Sequence, residues 1–410
     1  MSTIPPPRNS AALVADRTFG PYFAGNLSSN IGTWFQQVTA AVVMFNLTGS
    51  TFMVGMVGVS QFLPALVLAP WTGAAADRFN RKRLLVGAQT VAAVATGLLA
   101  VVTLTLGLDR FPIAWPVLAT AFVVGLVNAV SVPAQQALVP ALVPTQDLDQ
   151  AVALNSVTFN LARAVGPALG TVVLVAWGAG SAFAVNSFSY LLLVAGLLVI
   201  RPRPITRPKR TSIWAGFPLL RADPTLVVLL VGVLALGFGS DPVLTLTPAL
   251  ASKLSAPATD TAGLVGILIS AFGAGAVVGT LLVARLRVRW GQVRVSIGGL
   301  TLLAAGMVGL ALAPSTWTAV TALVVGGAGF LFGVTGLTTA IHLRIQEEFR
   351  GRIMALWGVA FLGSRPIAAF IDGLVADLVS PEAATLLMVL VVVACASLVQ
   401  VKLGGSRGKD

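Results

Sequence analysis

Apolar residues run along this chain in long blocks, not in amphipathic periods. A bilayer-spanning helix takes about 20 mostly apolar residues. Twelve such blocks can be marked off between charged positions and Pro/Gly breaks: 19–47, 51–76, 83–107, 112–138, 148–177, 180–200, 224–252, 260–285, 292–313, 316–341, 351–378 and 381–402. Pro133, Pro140 and Pro144 interrupt the fourth block and its exit. The pattern predicts an all-α polytopic membrane protein with twelve transmembrane helices.

Composition agrees. The 410 residues are 56% hydrophobic and 10% charged, against about 25% charged in soluble domains. The net charge of +12 invites a nucleic-acid reading, but its distribution excludes one. With the N-terminus in the cytoplasm, all but four of the 26 Lys and Arg fall on the cytoplasmic side. Arg110 and Lys253 fall outside; Arg163 and Arg365 lie within helices. One missed span would flip every later loop, so the asymmetry supports the count and places both termini in the cytoplasm, in an inner-membrane protein. Trp71, Trp115, Trp177, Trp290 and Trp317 sit near block ends, as interfacial aromatics do. The first twenty residues carry Pro5, Pro6 and Pro7 and no apolar core of a signal peptide, so the first apolar helix is expected to direct insertion. One cysteine, Cys395, rules out an intrachain disulfide and a cysteine metal site; neither metal nor other cofactor is expected.

The chain divides near its middle. A basic stretch, 201–223, holds Arg201, Arg203, Arg207, Lys209, Arg210 and Arg221. It reads as a cytoplasmic linker near anionic headgroups, with Thr211 to Leu220 expected to form a short surface helix. It separates an N-terminal six-helix bundle, 1–200, from a C-terminal one, 224–410. A shift of 202 residues aligns Ala153-Leu154, Val157, Phe159 and Arg163 with Ala355-Leu356, Val359, Phe361 and Arg365. These are the fifth and eleventh blocks, equivalent in a six-plus-six repeat, so the two bundles are expected to be pseudo-symmetric.

The strongest motif is Gly73-Ala-Ala-Ala-Asp77-Arg78-Phe79-Asn80-Arg81-Lys82-Arg83. Physically it is a helix end, a tight turn and a basic helix start. Gly73 permits close helix approach, Asp77 can accept from orphan N–H groups at a helix start, and Asn80 suits a left-handed turn position. Positive-inside anchoring explains the basic residues but not Gly and Asp at this spacing. The second half has Gly279 before Arg285, Arg287, Arg289 and Arg294, with Val283 where the first has Asp77.

Here the sequence resembles the major facilitator superfamily, whose signature between helices two and three reads Gly-x-x-x-Asp-Arg-x-Gly-Arg-Arg/Lys; Asn80 replaces the second Gly. The resemblance implies that Gly73, Asp77, Arg78, Arg81 and Lys82 form a gating motif between the halves, with Asp77 engaging the start of the eleventh helix near Gly351 and Arg352. Further features resemble the enterobactin-exporter-like and macrolide-efflux-like branch. They are Asn30-Ile-Gly-Thr-Trp34-Phe-Gln36-Gln37, Pro133-Ala-Gln-Gln-Ala-Leu-Val-Pro140, Asn155-Ser156, Gly166-Pro167-Ala-Leu-Gly170 and Arg350-Gly351-Arg352. The Gly-Pro-x-x-Gly element is similar to the exporter motif of proton antiporters, with Ala162 where that motif prefers Gly.

Nothing enzymatic competes: the chain has no Walker loop, no His-Glu-x-x-His and no Gly-x-Ser-x-Gly. Gly273 to Gly279 and Gly329 to Gly333 lie inside apolar blocks and read as close helix packing. His342 sits beside Arg344 at a helix end and reads as interfacial.

Charges inside a bilayer are costly and mark function by default. The mid-membrane set is Arg163, Asp241, Arg365 and Asp372. The first half offers Arg163 amides: Asn26, Asn30, Gln36, Gln37, Gln61, Asn128, Asn160 and Asn186. Arg365 can choose Asp372, two turns along its own helix, or Asp241. The stripe Asn26, Asn30, Trp34 and Gln37 has helical spacing and reads as a cavity lining. Asn128, Arg163 and Arg365 join it as substrate-site candidates, and Asp241 and Asp372 are the proton-coupling candidates. Of these Asp241 is favoured, because Pro242 follows it and loosens the helix.

These features, with the resemblance, lead to an expectation of a monomeric secondary transporter that exports a small organic molecule by proton antiport with alternating access. A facilitator or importer of the same fold, and a membrane sensor or assembly subunit that transports nothing, remain as alternatives.

Overall fold

Residues 8–111, 114–203, 217–255 and 261–404 are described by a computed structural model; side chains at 69, 70, 73–77, 160, 217, 347, 348, 350, 351 and 404 are not described. Every regular element among the described residues is helical. Local chemistry sets the helix ends. Asn9 accepts from the Ala12 N–H at 2.8 Å and starts α1 (Ser10–Val14). Asp16 accepts from the Thr18 and Phe19 N–H groups and starts α2 (Phe19–Thr48). Gly49, at φ 63°, turns the chain into α3 (Thr51–Arg78).

Asn80 then caps α4 (Arg81–Thr105), its Oδ1 accepting from Arg83 N–H at 3.1 Å. Its φ is −69°, so the left-handed turn expected there is not formed; the side chain acts as an N-cap instead. Helix α5 (Trp115–Leu142) runs through Pro133 and Pro140 and stops before Pro144. Helix α6 (Leu148–Val199) is two helices joined at a break, where Gly178 takes φ 79° and ψ 173°, an angle pair open only to glycine without strain. It covers the fifth and sixth blocks.

The short helix α7 (Phe217–Ala222) overlaps the end of the helix expected at 211–220, whose earlier part lies outside the described residues. The seventh block is broken into α8 (Pro224–Ser240), α9 (Pro242–Thr245) and α10 (Thr247–Leu254). Five helices follow: α11 (Thr261–Trp290), α12 (Gln292–Ala311), α13 (Thr316–Arg344), α14 (Glu347–Leu378) and α15 (Pro381–Gly404). Among the described residues ten helical stretches are long and apolar enough to cross a membrane, α6 counting as one. Helix α2 is not among them: its amide side chains lower its apolarity although its length of 30 residues is ample.

The helices gather into two compact units, one of residues 1–39 and 67–210, the other of 40–66 and 211–410. In the first, Leu13, Phe19, Tyr22, Leu85, Leu138, Leu142, Leu193 and Leu197 form a buried apolar core. Arg8 closes it, pairing with Asp16 at 2.8 Å and Asp147 at 2.7 Å. In the second unit α11, α12 and α13 approach through glycines: a methyl group at Gly329 would stand 2.5 Å from the Leu303 nitrogen, and one at Gly327 would collide with the Phe272 carbonyl. The α2–α3 hairpin packs on α14 in this unit, with Phe52 edge-on to Phe370 at 5.6 Å and Asp377 accepting from Thr51 N–H at 2.8 Å.

Candidate functional site

In the first unit two polar stripes face each other. On α2 they are Asn26, Asn30, Trp34 and Gln37; on α6, Asn155, Phe159 and Arg163. Both follow the near-four-residue spacing that puts side chains on one helix face. Asn26 Nδ2 donates to Asn155 Oδ1 at 3.0 Å, and Tyr22 OH donates to the same oxygen at 3.3 Å. Asn30 Nδ2 donates back to Asn26 Oδ1 at 3.0 Å. Eight residues further along each helix, the Arg163 guanidinium lies 5.4 Å from the Trp34 ring centroid, and Phe159 meets that ring edge-on at 6.0 Å. The partners 26/155 and 34/163 keep one offset, so α2 and this part of α6 run parallel in register.

The Gly-Pro-x-x-Gly element makes that register possible. A methyl group at Gly166 would stand 2.7 Å from Trp34 Cβ and 2.9 Å from the Ile31 carbonyl oxygen; one at Gly170 would stand 3.0 Å from the Phe35 carbonyl oxygen. Glycine therefore brings the α6 backbone against α2 and holds the indole under Arg163.

Neighbouring amides are structural. Gln36 Oε1 accepts from Thr96 at 3.3 Å and from Asn186 Nδ2, and Gln89 links Ser29 to Ser131 at 3.1 Å each. Gln37 differs: its Oε1 is buried with no partner among the described residues. Asn128 is half-buried on α5, and the Asn160 side chain lies outside the described residues.

The second unit holds the buried charges Asp241, Arg365 and Asp372, at 2%, 3% and 0% exposure. Asp241 occupies the single residue between α8 and α9. Pro242 cannot donate a backbone hydrogen bond, and the chain restarts as a new turn. Asp241 Oδ2 accepts from Thr245 Oγ1 at 2.7 Å. The Asp372 carboxyl, from α14, lies within hydrogen-bonding reach of Asp241, and neither Asp372 oxygen has a donor among the described residues.

Arg365 takes part in no ion pair among the described residues. Its guanidinium stands 4.9 Å from the Phe62 ring centroid and 5.5 Å from that of Phe361, and Nη2 reaches Ser240 Oγ at 3.5 Å. Nε is buried without a partner among the described residues, and Asp241 is the acid lying in its field. Each mid-membrane arginine thus rests on aromatic faces.

Around the α3–α4 turn, Lys82 Nζ donates to the Leu198 and Ile200 carbonyls at 3.0 and 2.8 Å, closing the C-terminus of α6. Arg78 is exposed and Arg81 half-buried. The side chains of Gly73, Asp77 and Gly351 lie outside the described residues, and so does the expected contact of Asp77 with the start of α14. Sequence reasoning missed Phe62 and Thr245 as members of the site. It also placed Asn155 only as a family feature, although its eight-residue spacing from Arg163 mirrors Asn26 and Trp34.

Long apolar helices, one of them broken at Asp-Pro, with charges buried among them, describe a multi-pass integral membrane protein, and the family match below makes it a transporter of the major facilitator type. The chain belongs to the transmembrane secretion effector family, which it matches over residues 9–407. It is a transport protein, not an enzyme. It is similar to the enterobactin exporter EntS of Shigella boydii, 28% identical over 394 residues, covering 92% of this chain and 89% of that one. Macrolide efflux protein A of Streptococcus pyogenes is 24% identical over 375 residues, 88% and 89% of the two chains. The staphyloferrin A transporter of Staphylococcus aureus is 28% identical over 173 residues, and the match spans only 42% of this chain and 43% of that relative. The nucleoside transporter NupG, solved as a point mutant, shares the fold with a TM-score of 0.75 at 12% identity, over 94% and 99% of the chains.

Proposed function

We propose that this protein exports a small organic molecule by proton antiport with alternating access; the export direction is supported by its similarity to an enterobactin exporter and a macrolide efflux protein. On this reading twelve spans form two pseudo-symmetric six-helix bundles, 1–200 and 224–410, joined by the basic linker 201–223, with both termini cytoplasmic and the monomer as the working unit. Repeated Phe159/Arg163 and Phe361/Arg365, each a Phe four residues before an Arg, support the repeat. The α2–α6 stripe with Arg163, Asn128 and Gln37 is the proposed substrate-binding set of the first unit, and Arg365 is the substrate-binding candidate of the second. Gly73, Asp77, Arg78, Arg81 and Lys82 are the proposed gate.

The observation that carries the coupling step is the Asp241–Asp372 contact. Ionised carboxylates are acceptors only, so two of them facing each other need a proton to become a hydrogen-bonded pair. Asp241 already has Thr245 and the field of Arg365; Asp372 has no donor among the described residues. We therefore assign proton carriage to the pair, not to Asp241 by itself. The break at Pro242 supplies a route for water, since irregular backbone inside a membrane is tolerated where it is enclosed by protein or lines a wet cavity. The first test uses everted vesicles with an imposed pH gradient and the cargoes the relatives are named for: enterobactin, staphyloferrin A and a macrolide. Accumulation of at least one, abolished by a protonophore, is expected. Accumulation that a protonophore leaves intact would overturn antiport.

A further inference from the structure

The α3–α4 and α11–α12 turns occupy equivalent places in the two halves of the sequence but differ in their acceptors. The first carries Asp77, and its Asn80 side chain caps α4. The second has Val283 in place of the acid, and Gly291 precedes α12 with no side-chain cap on its first N–H groups. Val283 turns inward instead, forming a small apolar core with Val295 and Phe332, against which Leu286 packs.

Four arginines crowd this turn: Arg285, Arg287 and Arg289 end α11, and Arg294 lies in the first turn of α12. Among the described residues none of them takes part in an ion pair, and Arg287 Nε and Gln292 Oε1 are buried without hydrogen-bond partners. The 30 residues of α11 span about 45 Å at 1.5 Å each, well beyond a hydrocarbon core of about 30 Å. Its arginine-bearing end therefore reaches the headgroup layer, where Trp290, 47% exposed, is an interfacial anchor.

We propose that this turn binds the phosphate of an anionic phospholipid, of the phosphatidylglycerol type, in the adjoining leaflet. Guanidinium groups donate to phosphate oxygens in a planar fork. Arg285 and Arg289 share one face of α11, and Arg294 lies in the first turn of the next helix. A phosphodiester supplies the acceptors that the second turn lacks and the first contains within its own chain. The exposed Leu281, at 71%, lies one turn before Arg285, toward the membrane interior, where the acyl chains of such a lipid run.

The test places the full-length protein in nanodiscs of mixed phosphatidylglycerol and phosphatidylcholine and counts retained lipids by native mass spectrometry. Wild-type protein is expected to retain phosphatidylglycerol in preference to phosphatidylcholine. Replacing Arg285, Arg287, Arg289 and Arg294 together by Gln should lower that retention roughly tenfold or more, and replacing all four by Lys should lower it less. Lys253→Gln, at a lysine already paired with Glu382, should leave it unchanged. Monodisperse gel filtration and an unchanged helical spectrum certify that each variant is folded; were the Gln variant to unfold, the Lys variant and single Arg289→Gln would carry the comparison. Equal retention by wild type and Gln variant, no preference between the two lipids, or loss of the retained phosphatidylglycerol on adding millimolar inorganic phosphate would each overturn the headgroup site.

Discussion

Asp372, on α14, interacts with Asp241 at the break between α8 and α9, and neither oxygen of Asp372 has a donor among the described residues. Every other feature of the coupling account depends on this contact, because a buried acceptor without a donor costs about 1–3 kcal/mol. Asp372→Asn gives the pair a permanent donor at nearly the same volume. The variant is expected to unfold at the same or a higher temperature than wild type while losing proton-coupled transport. A marked fall in unfolding temperature would mean that the ionised Asp372 is held by partners the hydrogen-bond pattern does not show.

Gly166 is expected to be intolerant of any side chain, since the site of its Cβ is occupied by Trp34 and the Ile31 carbonyl. Gly166→Ala should destabilise the first unit by about 1–3 kcal/mol and shift the indole from beneath Arg163. Unfolding midpoints in detergent, with fluorescence at the red edge to follow Trp34, measure both effects. A variant as stable as wild type would show that α6 does not depend on this approach.

Arg365 rests on Phe62 and Phe361 instead of on a carboxylate. Phe62→Leu keeps an apolar side chain and removes one ring, with an expected loss of about 1–2 kcal/mol for a desolvated pair. Phe62→Tyr should be close to neutral in a double comparison with Arg365→Gln. If Phe62→Leu costs the same in an Arg365→Gln background as in wild type, the two residues are not coupled.

The Arg8 clasp makes a pH prediction outside the membrane. Burial pushes the Asp16 carboxyl up, but the Phe19 N–H, the Arg8 guanidinium and the Thr18 N–H outweigh it and hold the group below its ordinary value of 3.8. At Asp147 the Arg8 backbone N–H pulls the carboxyl down, burial opposes it, and the guanidinium adds to the lowering. Both acids are therefore depressed on folding, so the clasp stabilises above the ordinary carboxylate range and weakens as pH falls through and below it. The stability difference between wild type and Arg8→Ala should be constant from pH 5 to 8, with pH 5 already above 3.8, and should shrink on further acidification. A difference that grows toward acid pH would contradict the sign.

Much of this architecture is legible in the sequence because a bilayer imposes length and apolarity on each segment. The blocks ending just before Gly49 and Gly178 meet turns in the structure for that reason, whereas the break at Asp241-Pro242 falls inside the seventh block. Apolarity says little about which helix lies beside which. The Asn26/Asn155 and Trp34/Arg163 rungs are visible in the sequence only as separate stripes, since matching them needs the register between two helices distant in sequence. Arg365 invites pairing with an acid because sequence reveals charge but not the rings that surround it. Asn80 likewise presents two local options, a left-handed turn or an N-cap, and the N–H of Arg83 decides for the cap. The placing of residues 40–66 with the second unit has no sequence signal, because the hairpin is as apolar as its flanks.

Proton movement driven by substrate in proteoliposomes tests the central claim most directly. Purified wild type, Asp241→Asn and Asp372→Asn are reconstituted with an internal pH dye, and a cargo identified in everted vesicles is added to one side. The account predicts a substrate-dependent pH change for wild type and none for either variant, with substrate binding retained by both. Proton flux at the wild-type rate in both variants would contradict it, leaving the Asp241–Asp372 pair without a part in coupling.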